Sequence, residues 1–197
     1  RLTRHEVRAN GSSISDRNYT YDSRDNLLNV SGGTSELTRE YDALGRMTRY
    51  TDAEGNTFEY AYNSAGLLSQ LVYPDGKTVD YTYDGDDRLT SIVDWADRET
   101  RYHYDARGQI EAIDFPNGTR RTIRYDTRGA PTLRREIAAD GSLIREFRYI
   151  YDAAGQLRTV ESDALPSFTP NAESFTYDER NRLLTINGAS IQYNERG

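Results

Sequence analysis

Short runs of alternating apolar and polar residues, separated by turn-forming residues, recur along this chain at a regular interval. Tyr followed by Asp or Asn marks each recurrence, and most neighbouring copies lie 20 or 21 residues apart. The nine copies are Tyr21-Asp22, Tyr41-Asp42, Tyr62-Asn63, Tyr83-Asp84, Tyr104-Asp105, Tyr125-Asp126, Tyr151-Asp152, Tyr177-Asp178 and Tyr193-Asn194. Self-similarity at a fixed period is typical of a repeat protein.

Each copy carries the residues of a tight turn. Four residues after the Tyr there is always a Gly, Asn or Asp, the residue types that adopt a positive φ at least cost. The Asp or Asn after the Tyr can bond its side chain to the backbone two residues on. The motif therefore predicts a hairpin turn. The residues that we expect to build these turns are Tyr41, Asp42, Gly45, Tyr62, Asn63, Gly66, Tyr83, Asp84, Tyr104, Asp105, Gly108, Tyr125, Asp126, Gly129, Tyr151, Asp152, Gly155, Tyr177 and Asp178.

A second set of turn residues lies about halfway between the copies, at positions 55, 76, 97 and 118. Two turns in each repeat leave two strands of roughly six to eight residues. Tight turns join antiparallel strands, because parallel strands need a long crossover. We therefore expect an all-β chain, one antiparallel meander of about 16 to 18 strands. It forms a single array over residues 1–197 with about eight to nine repeats, and the wider spacings at 126–176 predict longer loops near residues 134–139 and 165–172.

The apolar residues favour one face of this sheet. Two rings precede most turns at alternate positions, as in Tyr60 and Tyr62, so they share a face. After the turn the apolar residues lie three apart, as in Leu68 and Leu71, which requires either a bulge or apolar residues on both faces. The charged residues between the rings are predicted to face solvent. Because long twisted sheets curl, we expect an open spiral rather than a closed barrel.

Composition agrees with a thin sheet. The 197 residues are 36% hydrophobic and 29% charged, with a mean hydropathy of −0.87, which argues against a thick core. The chain has no Cys and only two His, His5 and His103, so disulfides and thiolate sites are excluded and a histidine-based site is disfavoured. The net charge of −7 argues against nucleic acid as the main partner. No apolar run approaches the ~18 residues of a membrane span.

The motif Tyr-Asp-x-x-Gly-Arg-Leu-Thr at this period resembles the YD repeat of bacterial Rhs proteins, toxin-complex components and animal teneurins. The best copies are Tyr41–Thr48 and Tyr83–Thr90, and the resemblance covers essentially the whole chain. It implies a long β-sheet that spirals into a hollow shell, which in bacterial members often encloses a toxic C-terminal domain. The Asp-Pro-x-Gly type motif that ends such shells, and marks self-cleavage there, is absent from this sequence.

The resemblance therefore implies a structural shell segment rather than an enzyme, with no catalytic residue, metal or cofactor. The expected partners are the rest of a longer polypeptide and an enclosed toxin domain, and the sheet edges could also pair between copies. The chain opens on Arg1, and we expect it to be a piece of a longer protein that is secreted or displayed on a bacterial surface.

Some of these residues also allow other interpretations. The Asp residues of the motif could bind calcium, but each turn offers one carboxylate, whereas a calcium loop needs several converging oxygens. His103 is expected to be an exposed strand residue on the face opposite the rings. Trp95, the only Trp, is expected to cap a sheet edge, and its alternative role is a surface contact for sugar or protein. An adhesion module that binds carbohydrate through such aromatics is the alternative function.

Overall fold

The computed structural model describes residues 1–9, 12–164, 172–178 and 182–191, and every regular element within these ranges is a β-strand. The chain divides into two compact units, Arg1–Glu99 and Thr100–Gly197. The described ranges contain eighteen strands, and each strand runs antiparallel to the neighbour with which it pairs in its unit. The predicted all-β antiparallel architecture is therefore confirmed, whereas the curl of the sheet stays a prediction.

The first unit is a meander in which each strand pairs with the next along the chain. Its strands are β1 (Arg4–Ala9), β2 (Ser12–Tyr21), β3 (Leu27–Gly32), β4 (Ser35–Tyr41), β5 (Met47–Thr51), β6 (Thr57–Tyr62), β7 (Leu68–Val72), β8 (Thr78–Tyr83) and β9 (Leu89–Val93). The hairpin from β3 to β4 has only two residues between the paired positions, because Gly32 pairs directly with Ser35.

The second unit repeats this order of pairing. Its strands are β10 (Glu99–Tyr104), β11 (Ile110–Asp114), β12 (Arg120–Tyr125), β13 (Pro131–Ile137), β14 (Leu143–Tyr151), β15 (Leu157–Ala164), β16 (Ala172–Tyr177), β17 (Leu183–Ile186) and β18 (Ala189–Ser190).

The longer loop expected within residues 134–139 is not present. β13 has seven residues and β14 has nine, so the extra residues of this repeat extend the two strands. The turn between them has the same two backbone hydrogen bonds as the other turns, from Ala138 to Ser142 and from Gly141 to Ala138. The other expected long loop, at residues 165–172, lies almost wholly outside the described residues.

A β-bulge next to each motif tyrosine explains the three-residue spacing of the apolar pairs. Tyr62 pairs with Leu68 and Tyr60 pairs with Leu71, with the register shift beside Tyr62. Ser69 is the extra residue, so Leu68 and Leu71 lie on the same face as the two rings. The same shift occurs beside the tyrosine in the other motif hairpins. One face of the sheet therefore collects the rings and the aliphatic residues.

This apolar face is built from cross-strand pairs of a ring and an aliphatic side chain, a combination that stabilises sheets. The pairs are Tyr19 with Val30, Tyr60 with Leu71, Tyr81 with Ile92, Tyr102 with Ile113, Tyr149 with Val160 and Phe175 with Ile186. Among the described residues, only Val79 and Ala112 are buried apolar residues. Most of the apolar face is therefore half-buried, as the low mean hydropathy predicts.

The opposite face carries the charged residues predicted there, joined in pairs across the strands. Asp80 accepts a hydrogen bond from the side-chain amide of Gln70 at 2.8 Å, and Glu59 forms an ion pair with Arg49. Glu146 is the exception to solvent exposure, because it lies between Arg135 and Arg148 with only 4% of its side chain accessible. This face is thus polar but not uniformly exposed.

Candidate functional site: the repeated tyrosine turn

The turn after each motif tyrosine is the candidate site, because it is the feature that the chain repeats. Two backbone bonds close it: Asp42 donates its N–H to the carbonyl of Arg46 at 2.9 Å, and Gly45 donates to the carbonyl of Asp42 at 3.0 Å. The same pair of bonds forms in the turns that begin at Asp22, Asn63, Asp84, Asp105, Asp126 and Asp152. The structure thus places Tyr41, Tyr83, Tyr104, Tyr125, Tyr151 and Tyr177 at strand ends and the following residue in the turn.

The fourth residue of the turn has a positive φ, which is why its residue type is restricted. The angle is 87° at Gly66 and 77° at Gly108, and the non-glycine residues at this position, Asp25 and Asp87, have 71° and 61°. Gly45, Gly129 and Gly155 share this conformation. The predicted copies at Asn181 and at 193–197 lie outside the described residues.

The motif aspartate holds the turn with both carboxylate oxygens. Oδ1 of Asp42 accepts the N–H groups of Leu44 at 2.9 Å and Arg46 at 3.0 Å, and Oδ2 accepts Nε of Arg46 at 2.8 Å. The sequence predicted the bond to the residue two positions on. It did not predict the bonds to the residue four positions on. The signal was available, because Arg recurs five residues after the tyrosine at Arg46, Arg88 and Arg182, and each of them pairs with its aspartate.

These contacts keep the aspartates ionised. The backbone N–H of Arg46 holds the pKa of Asp42 below its ordinary value, and the side chain of Arg88 does the same for Asp84. The side chain of Asn26 lowers the pKa of Asp22, and the backbone N–H of Ala130 lowers that of Asp126. A carboxylate that accepts several N–H groups is stabilised in its charged form. The charge at each turn therefore serves the hairpin.

The tyrosine hydroxyls form a ladder that the sequence did not reveal. In six of the repeats the hydroxyl donates to the carbonyl of the first residue of the neighbouring strand on its N-terminal side, or of a residue close to the start of that strand. The bonds run from Tyr21 to Leu2, Tyr41 to Leu27, Tyr62 to Met47, Tyr83 to Leu68, Tyr125 to Ile110 and Tyr151 to Pro131, at 2.7 to 3.0 Å. This tyrosine ladder joins one motif turn to the preceding one.

Arginine and tyrosine also meet between neighbouring turns. The guanidinium carbon of Arg46 lies 4.5 Å from the ring centroid of Tyr62, so the arginine that pairs with Asp42 also covers the next motif ring. Burial raises the pKa of Tyr62, and it does the same for Tyr125 and Tyr151. These phenols are protonated at neutral pH and act as donors in the ladder.

Trp95 lies in a mid-repeat turn, with 47% of its surface exposed. Its ring centroid is 5.8 Å from that of Tyr73, and a row of rings continues from Tyr73 to Phe58 at 5.9 Å and on to Tyr50 at 6.1 Å. Two cations, Lys77 at 5.4 Å and Arg98 at 5.7 Å, lie against the indole.

The side chain of His103 pairs with a carboxylate on the neighbouring strand. Its Nε2 lies 2.7 Å from Oδ2 of Asp114 on β11, and Asp114 also pairs with Arg120 at 3.0 Å. Over the ranges that the structure describes, no group of three or more His, Asp or Glu side chains is arranged to hold a metal ion. Within the same ranges, no helix has the length and apolar composition needed to cross a membrane.

Family comparisons agree with the repeated motif. The Teneurin YD-shell model matches residues 3–96, and the RHS Repeat model matches residues 83–120. The resemblance to YD-repeat proteins is therefore confirmed. A search of curated proteins finds no match.

Solved structures show the same fold. A crystal structure of TcdB2-TccC3 without its hypervariable C-terminal region aligns with a TM-score of 0.72 at 16% identity, covering 87% of this chain and 10% of that one. A Photorhabdus luminescens Tc holotoxin pore with the mutation TccC3-D651A aligns with a TM-score of 0.52 at 17% identity, covering 89% of this chain and 12% of that one. This chain thus spans about a tenth of the length of these two solved chains.

Proposed function

We propose that this YD-repeat chain forms part of the wall of a structural shell. The longer protein that contains this wall encloses a toxin domain and helps to deliver it. The tyrosine ladder is the observation that carries the proposal, because it strengthens the sheet at each repeat. The family-model matches and the fold of the solved neighbours support a structural shell role.

The tyrosine ladder joins neighbouring strands at the ends that no turn connects. At the edge of the sheet that carries the motif turns, the end of β6 and the start of β5 lie side by side. The turn that joins these two strands is at their other ends. The hydrogen bond from the Tyr62 hydroxyl to the Met47 carbonyl oxygen, at 2.7 Å, joins these two strand ends. A half-buried hydrogen bond of this kind contributes about 1 kcal/mol, and its repetition suits an extended wall.

The proposal extends to partners and location. The remainder of the polypeptide and an enclosed toxin domain are the partners, and the whole protein is exported from a bacterium or displayed on its surface. The segment itself performs no catalysis. The solved neighbours, a TcdB2-TccC3 complex and a Tc holotoxin pore, support a role within a toxin assembly.

Protease protection in the full-length protein tests this proposal. We expect the downstream domain to resist a protease at concentrations that degrade the same domain expressed alone. Weakening the wall by combining Tyr62→Phe, Tyr83→Phe and Tyr125→Phe should make that domain more accessible to cleavage. Equal cleavage of the enclosed and isolated domain would contradict enclosure.

The exposed aromatic row supports a second candidate, an adhesion module that binds carbohydrate. Trp95 is 47% exposed, but Lys77 and Arg98 already lie against its ring. The motif tyrosines also use their hydroxyls within the ladder. Glycan binding that is lost in Trp95→Ala would favour adhesion, and a chain that binds no glycan would favour the wall.

A further inference from the structure

The arginines of this acidic chain are concentrated in one segment of the second unit. Residues 120–148 contain eight Arg and four acidic residues, although the chain as a whole has a net charge of −7. The segment includes β12 and β13 and most of β14. Such a local reversal of charge marks an electrostatic surface feature.

Three of these arginines lie on the apolar face of the sheet. Arg121, Glu136 and Arg145 occupy one row across the three strands, and Arg134 lies opposite Phe147 in the next row. In the other hairpins the position of Arg134 holds an apolar or aromatic residue: Val30, Tyr50, Leu71, Ile92, Ile113, Val160 or Ile186. We call Arg121, Arg134 and Arg145, with Glu136 and Phe147, the arginine cluster.

The contacts within the cluster leave positive charge uncompensated. Nε of Arg121 lies 2.8 Å from Oε1 of Glu136, and Nε of Arg134 lies 3.6 Å from the same oxygen. The guanidinium carbons of Arg134 and Arg145 lie 4.3 and 5.6 Å from the centroid of the Phe147 ring. Within the described part of the chain no carboxylate pairs with Arg145. The single carboxylate of the cluster thus pairs with two of the three guanidinium groups and leaves Arg145 without one.

Packing of the sheet does not account for this arrangement. An aliphatic side chain fills the position of Arg134 in most other hairpins and pairs there with a ring. Holding two guanidinium groups against one ring brings like charges together, which is unfavourable unless an anion is near. The cations are also accessible, since 34% of the Arg121 side chain is exposed and Arg145 is exposed.

We propose that the arginine cluster binds an acidic polypeptide segment through two of its carboxylates. Arg121 and Arg145 flank the strand that carries Glu136, so they lie two strand spacings apart, roughly 10 Å. Two separated monoanions suit this layout, whereas a phosphate dianion between them would lie beside the Glu136 carboxylate. Guanidinium groups also match carboxylates with two parallel hydrogen bonds.

The spacing defines the peptide. Carboxylates three residues apart in a polyproline II segment point to the same side and are separated by about 9 Å, which is close to the distance between the two arginines. The probe is therefore a fluorescent peptide with Glu at every third position, and its comparison is the same peptide with Gln in place of Glu. Binding is measured by fluorescence anisotropy on the whole chain at low salt.

The matched variants are Arg145→Gln and Arg124→Gln. Arg124 is an exposed arginine of β12 whose side chain lies on the opposite face of the sheet. Its replacement therefore removes the same charge from outside the arginine cluster. We expect Arg145→Gln to weaken binding about tenfold, Arg124→Gln to change it less than about twofold, and Arg145→Lys to be intermediate. Binding should also weaken as salt rises from about 50 to about 200 mM. Melting curves show whether each variant is folded.

Four results would overturn the proposal. The Gln peptide could bind as tightly as the Glu peptide, or Arg124→Gln could reduce affinity as much as Arg145→Gln, which would indicate a non-specific effect of charge. A DNA or RNA oligonucleotide that binds more tightly than the Glu peptide would assign the cluster to nucleic acid instead. Failure of the Glu peptide to bind at millimolar concentration and low salt would also exclude the proposed peptide site.

Discussion

The hydroxyl of Tyr62 donates a hydrogen bond to the carbonyl oxygen of Met47 at 2.7 Å, between two strands whose connecting turn lies at their opposite ends. These residues are 15 positions apart in the sequence. The bond converts a repeated tyrosine from a packing residue into a link between successive hairpins, and it makes the phenol oxygen a specific target for mutation.

Replacing Tyr62 by Phe removes this bond and keeps the ring. We expect a loss of about 1 kcal/mol in the free energy of unfolding, because the Met47 carbonyl loses its partner in a half-buried position. Urea denaturation followed by circular dichroism measures the change. Tyr60→Phe is the control, since Tyr60 shares the strand and the face and no hydroxyl bond of Tyr60 occurs among the described contacts. Equal losses in both variants would show that the ladder contributes nothing.

The motif aspartate should tolerate Asn better than Ala. Asn63 occupies this position naturally, and its Oδ1 accepts the N–H of Leu67 at 3.0 Å. Asp42→Asn keeps this acceptor and loses only the ion pair with Arg46, whereas Asp42→Ala also leaves two N–H groups without their partner. We expect the melting temperature to fall more for Ala than for Asn. The reverse order would mean that the ion pair dominates the turn.

Acid should destabilise the fold through the same aspartates. Hydrogen bonds from Arg46 and Arg88 lower the pKa of Asp42 and of Asp84 in the folded chain. A carboxyl group whose pKa is lowered by folding stabilises the native state above its ordinary pKa, and this contribution is lost as the pH falls through the lowered value. We expect the urea midpoint to decrease below about pH 4. A midpoint that stays constant down to pH 2 would contradict the assignment.

Alkali should act through the tyrosine ladder. Burial raises the pKa of Tyr62, Tyr125 and Tyr151, so the unfolded chain loses these protons first as the pH increases. Their contribution to stability is complete below about pH 10 and is lost as the pH rises through the raised values. Urea titrations between pH 8 and pH 12 measure this loss. Tyr62→Phe should reduce it, because Phe does not ionise.

The fourth turn position should discriminate between residue types. Gly66 has a φ of 87°, so Gly66→Val places a β-branched residue in the left-handed region and should cost roughly 1–3 kcal/mol. Gly66→Asn should cost less, because Asp25 and Asp87 adopt positive φ at the same position. Thermal melts of the two variants give the comparison. A Val variant as stable as the native chain would mean that the turn differs in solution.

Local turn chemistry was predictable because it depends on residues that are close in the sequence. The Asp42 carboxylate, the positive φ of Gly45 and the closing bond to Arg46 all lie within five consecutive residues. The period of the repeat then predicted the positions of these turns and of the strands between them. Even here a local signal was missed, since the recurring Arg that pairs with the aspartate was visible in the sequence.

Other features depended on how the strands pair. The sequence left open whether Leu68 and Leu71 share a face, and the bulge at Ser69 decides that they do. The extra residues near Ile137 predicted a loop but lengthen two strands, because those residues continue the antiparallel pairing. A one-residue shift in register moves side chains to the other face, and the spacing of residues does not specify such a shift.

The sequence by itself determined the repeat, the all-β meander and the residue types at each turn, because these follow from short-range backbone preferences. The tertiary structure decided which carbonyl receives each tyrosine hydroxyl and that Arg121, Glu136 and Arg145 form one row. Both relationships join residues on neighbouring strands, so they exist only once the register between those strands is set.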